Sequence, residues 1–222
     1  MARIDELTPG ERRRFRTGRP CLDFTHTGGE GEHAVWEILH TGEDLGRLIA
    51  VVLDLPADLP ATDVDLPPAR TLRNAIGRIA RRLADGEPPR QADVAVVNDA
   101  AARPPLVPRW RVGPDPSTPG HLDRHAPAGG SPVAAALSTL GRDAVDLFTG
   151  PLARRIRTCS AADCGLLFVD ASRPGTRRWC SMARCGNLAK VRRHRGHRAG
   201  SVGVPAEPPD HRTISRADCT AR

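Results

Sequence analysis

Four of the six cysteines lie close together: Cys159, Cys164, Cys180 and Cys185 form two pairs, each with four intervening residues, and fifteen residues separate the pairs. Two short loops joined by such a spacer bring four thiolates around one tetrahedral ion, and all-sulfur coordination suits Zn2+, one per chain. Two disulfides are the alternative. They require an oxidising compartment, and the charged start of the chain, Met1 to Gly10, carries no apolar export signal, so a cytoplasmic location is expected.

The spacer must position the pairs. Leu166–Asp170 and Thr176–Cys180 flank the turn-forming Ser172–Gly175, so a β-hairpin is predicted there, with Ser181 capping a helix that carries Cys185. Knuckle, hairpin and ligand-bearing helix describe a treble-clef finger whose small core is Phe168 and Trp179. So small a unit takes much of its folding free energy from the metal. Residues 151–200 hold 12 Lys and Arg against 2 Asp, a formal +10; with +7 for the whole chain, the rest carries 7 − 10 = −3. Arginine outnumbers lysine 32 to 1 throughout, so clustering is more informative than arginine content. At 100° per residue, Leu188, Arg192 and Arg195 share one helix face and Lys190, Arg193 and His197 another. Two basic faces suit a helix lying between phosphate rows, with Arg177 and Arg178 adding contacts from the side. Asn187 is a candidate for reading an adenine edge or for a structural hydrogen bond at the helix start.

Upstream, the chain is long enough for one domain of about 150 residues. Thr41 with Asp44 makes a capping pair before the helical repeat Leu45, Leu48, Ile49, Val52, and that helix should end before Pro56. Leu72, Ile76, Ile79 and Leu83 form the apolar stripe of a second helix, with Arg73, Arg78, Arg81 and Arg82 expected to face water. A third helix is predicted over 91–102. A hairpin is predicted from Leu106–Val112 to near Leu122, and a fourth helix starts at Ser131-Pro132 and stops at Gly150. Leu22 and Phe24 mark a short buried strand or helix start, and Ala34–Leu39 a strand. The fold class expected is α+β: an α-rich domain over 1–150, the finger over 151–198 and a disordered tail over 199–222.

The run WCSMARCGNLAKVRRHR resembles the CGNR zinc finger, and GRPCLDFTHT resembles the CLDF signature of the ABATE domain that precedes this finger in bacterial proteins. The resemblance implies a stress-related transcription regulator whose finger binds DNA and whose N-terminal domain senses a small ligand. The signature's final arginine is Leu188 here. In the N-terminal motif, Asp23 and His26 are the candidate ligand-binding residues.

No enzyme activity is expected. A nuclease of the HNH type needs a histidine on the hairpin, and none lies between Gly165 and Trp179; Cys21, flanked by Leu22 and Phe24, suits packing rather than nucleophilic attack. RNA binding and protein binding by the finger are the competing functions, since phosphate contacts do not separate DNA from RNA. A single finger touches few base pairs, so useful specificity calls for a homodimer or another partner. No apolar run reaches the roughly 20 residues of a membrane span.

Overall fold

The computed structural model describes residues 17–112, 121–161 and 164–191. The candidate contacts Arg192, Arg193 and Arg195, and the tail, lie outside the described residues.

The described chain is mainly helical. Helix α1 (Pro20–Thr25) starts with proline at its first turn and buries Cys21, Leu22 and Phe24. A 3-10 turn follows at Gly31–Trp36. Helix α2 (Gly42–Leu53) begins with the anticipated capping box, in which Thr41 accepts from the Asp44 amide and Asp44 accepts from Thr41. It ends at Asp54, whose φ of 53° turns the chain out of the helix. Gly46 is needed because a Cβ would lie 2.1 Å from the Leu59 carbonyl oxygen. Helix α3 (Leu66–Ala84) buries Leu72, Ile76 and Ile79 of the expected stripe and leaves Leu83 partly buried; α4 (Gln91–Ala101) buries Asp93 and Val97; and α5 (Pro132–Thr149), capped by Ser131 accepting from the Ala134 amide, buries Val133, Leu137, Leu140, Ala144 and Leu147. Gly141 brings α5 against α4, with its Cβ position 3.0 Å from the Ala101 nitrogen. Between α4 and α5, β1 (Val107–Arg111) pairs antiparallel with β2 (His121–His125), placing Arg109 opposite Asp123.

Antiparallel strands β3 (Ile156–Thr158) and β4 (Leu167–Val169) then enclose the first cysteine pair, with Ile156 opposite Val169 and Thr158 opposite Leu167. Strand β4 is buried on both faces. Leu167 and Val169 join the large helical core, whereas Phe168, pointing the other way, belongs to the small core of the cysteine site. The finger is therefore continuous with the helical core. Main-chain bonds reinforce this: the Val169 amide donates to Thr17 O at 3.0 Å.

Three expectations are corrected. The hairpin of the finger is β3–β4 rather than a ladder between 166–170 and 176–180. The turn at Ser172 to Gly175 does form, but 176–179 run outside any strand, held by the Arg177 amide to Asp170 and by Ser160 to the Arg178 carbonyl. Ala34 to Leu39 is not a strand: 31–36 form the 3-10 turn, Ile38 donates to Thr27 O, and among the described residues no strand pairs with this segment. Arg73 does not face water. It is 2 % exposed and grips Glu37 through two bonds of 2.8 Å, because the Glu37 segment folds across α3.

Candidate metal centre

Cys159 sits directly after β3, and its amide donates to the Leu166 carbonyl at 2.8 Å, closing the first loop. Gly165, at φ 58°, makes the reversal that returns the chain to β4. The second pair follows the Ser172 to Gly175 turn. Asp170, fully buried, organises that turn by accepting from Ser172 and from the Arg177 amide, and the hydrogen bond from the Ser172 hydroxyl holds its carboxyl below the usual range. Met182–Gly186 is a wide π-helical turn, in which the Gly186 amide reaches Ser181 O, and residues 187–191 continue as α-helix. The turn carries Cys185 inward.

The four sulfurs lie within 4.8 Å of one another. Cys164 and Cys180 are 3.6 Å apart and Cys180 and Cys185 3.7 Å. Four bonds of about 2.3 Å arranged tetrahedrally have an edge of about 3.8 Å, so these separations fit one Zn2+ and are far longer than a disulfide. The Cys180 amide also points at the Cys159 sulfur, 3.4 Å away, an outer-shell bond that stabilises a thiolate. Crowding makes the thiols compete for charge. Hydrogen bonds from Cys164 and Cys180 pull Cys159 well below the usual thiol range, while Cys180 is pushed up by hydrogen bonding to Cys159 and Cys164. The four cysteines are positioned to hold one zinc ion, which would relieve this competition by stabilising all four thiolates.

Residues of the helical domain cover the site, and nothing in the spacing of the cysteines points to them. Trp36, at the end of the 3-10 turn, packs, as does Trp179, against the small buried cluster of Cys159, Leu166, Phe168 and Cys185. His33 meets Trp36 edge to face at 4.6 Å and lies 3.5 Å from Gly165 O, beside Cys164. The turn Gly31–Trp36 thus brings His33 and Trp36 against the cysteine site, while Glu30 just before it pairs with Arg78 of α3.

The two candidate ligand-binding residues serve neighbouring contacts. Asp23 Oδ1 accepts from the Thr17 amide at 2.8 Å and from its hydroxyl at 2.7 Å; burial pushes its carboxyl up to about 6 against those bonds. His26, 1 % exposed, places Nε2 3.1 Å from Leu167 O of β4. Around them the GRPCLDF motif is tied to α5: Asp143 accepts from Arg19 Nε and from the Cys21 amide, both at 2.9 Å. Cys21 is fully buried, and burial foremost drives its thiol well above the usual range, leaving it neutral. A separate cleft of about 300 Å3 lies between α3, α4 and α5, floored by Leu72, Val96, Ala100 and Leu137 and rimmed by Asp65, Asp99 and Arg103. Neither Asp23 nor His26 lines it.

Of the predicted nucleic-acid contacts, Arg178 and Lys190 are exposed, with the Arg178 guanidinium 5.3 Å from the Trp179 ring centre. Arg177 is turned inward: its guanidinium donates to the Trp179 and Cys180 carbonyls and lies 4.9 Å from the centre of the Phe168 ring. Asn187 donates from Nδ2 to Ala183 O at 3.0 Å, across the π-helical turn. No helix among the described residues is long and apolar enough to cross a membrane.

Residues 18–151 match the ABATE family, whose description is "Putative stress-induced transcription regulator", and residues 155–198 match the CGNR zinc finger. Among curated proteins none matches the chain.

Proposed function

The chain belongs to the ABATE family, and from that premise we propose that it is a zinc-dependent, DNA-binding transcription regulator. The observation that carries this reading is the cluster of four sulfurs within 4.8 Å immediately before the basic run 188–198. When bound, Zn2+ would offset half of the negative charge of the four thiolates and cross-link the two loops. Cys185 then fixes the start of the helix that carries Lys190, and the arginines that follow in sequence add to its positive charge. Because β4 is part of the helical core, the finger is held at a set angle to that domain, and a change in the domain is felt by the helix. The cleft between α3, α4 and α5 is where a small amphipathic ligand would act, with its apolar part on Leu72 and Leu137 and its polar part at the rim.

The test is the salt dependence of duplex DNA binding by the zinc-loaded chain. Four phosphate contacts from Lys190, Arg192, Arg193 and Arg195 give a log–log slope of about −4, and Arg193→Ala should reduce its magnitude by about one unit for every sequence alike. A slope near zero, or binding unaffected by chelation, would refute the proposal.

A further inference from the structure

Leu188 and Val191 are exposed on the helix after Cys185, at 38 % and 44 %. Three residues apart, they share a face. The buried side of this segment is taken by Cys185 and Gly186, so neither side chain is needed for the small core. An apolar strip is unexpected in a stretch of 12 basic and 2 acidic residues, unless its partner is anionic and also presents isolated apolar groups.

A duplex offers such a group at its groove edge. The thymine 5-methyl stands in the major groove of B-form DNA, which is wide enough to admit a helix. RNA carries uracil, without the methyl, and its major groove is too narrow for side chains. Asn187, the neighbouring candidate reader, already has its amide nitrogen on Ala183 O. We propose that Leu188, supported by Val191, reads thymine methyl groups in the major groove, so that the finger prefers A·T-containing DNA and discriminates against RNA. This rests on the DNA-binding reading above. It also accounts for the residue itself: an arginine at this position of the CGNR pattern has the fork for guanine N7 and O6, whereas leucine has the shape for a methyl group.

The experiment compares a short alternating A·T duplex with the same duplex carrying deoxyuridine in place of thymidine, by fluorescence anisotropy at low salt with the zinc-loaded full chain. Loss of one contacted methyl should weaken binding about fourfold. Leu188→Ala, with zinc content confirmed as one per chain, should bind both duplexes equally and like the wild-type chain on deoxyuridine. Leu188→Arg should move the preference to duplexes containing G·C pairs. Equal wild-type affinity for the two duplexes, with the salt slope intact, would overturn this inference alone. So would a thymidine preference that survives in Leu188→Ala, because duplex shape and not the methyl would then be the cause. Failure to bind any duplex would remove the DNA-binding reading and this inference together.

Discussion

Replacing Leu167 by alanine asks whether the finger and the helices are one folding unit. Leu167 is fully buried in β4, and its side chain belongs to the large core shared with α1 to α5. Truncating such a leucine costs about 2–5 kcal/mol, the larger part of the range applying where the surroundings cannot collapse. The surroundings here are stiff: the Leu167 carbonyl is held by His26, and the next residue but one is tied to Thr17. We therefore expect about 4 kcal/mol. For a chain of this length that lowers Tm by about 8–16 °C. Two probes separate the modules. Far-ultraviolet circular dichroism follows the helices, and fluorescence in a Trp110→Phe background follows Trp36 and Trp179, both packed at the cysteine site. Trp110 is 77 % exposed, so its replacement should be neutral. Coincident transitions that shift together in Leu167→Ala are expected, with zinc affinity lowered by the same coupling. An unshifted helical transition beside an early-melting fluorescence signal would refute the shared-core argument.

Further outcomes follow from individual residues. Purified protein should carry one zinc, and Cys180→Ser should lose it by elemental analysis while releasing Trp36 and Trp179 to solvent. Asp23, pushed up to about 6 from 3.8, binds more protons folded than unfolded, so its contribution is fully present below about pH 4 and declines as pH rises through 6. Asp23→Asn should therefore gain stability relative to wild type between pH 4 and 6.5, by up to about 3 kcal/mol in urea titrations, whereas a flat difference would dismiss the buried-carboxyl account. Arg73→Ala strands Glu37 in a half-buried site and should cost about 3–5 kcal/mol, read from the urea midpoint.

Sequence alone determined whatever is encoded within a few residues. The spacing of Cys159, Cys164, Cys180 and Cys185 specified a four-thiolate site, since each pair closes a loop too short to do much else. Thr41 with Asp44 and Ser131 with Pro132 marked helix starts, because a cap satisfies amides three residues away and needs no partner elsewhere. The stripe Leu72, Ile76, Ile79 marked a buried helix face in the same local way. Tertiary structure decided the features that depend on distant chain. Arg73 looked like a surface charge until Glu37 folded over it. The 166–169 run is apolar without alternation because β4 serves two cores, and that choice of β3 as its partner over 176–180 was made by the burial of Ile156, Leu167 and Val169 against the helices. Trp36 and His33 carry no local signal for the metal centre. They reach it because their turn packs on a knuckle more than a hundred residues later, and burial of that kind is a property of the assembled core, not of any short stretch.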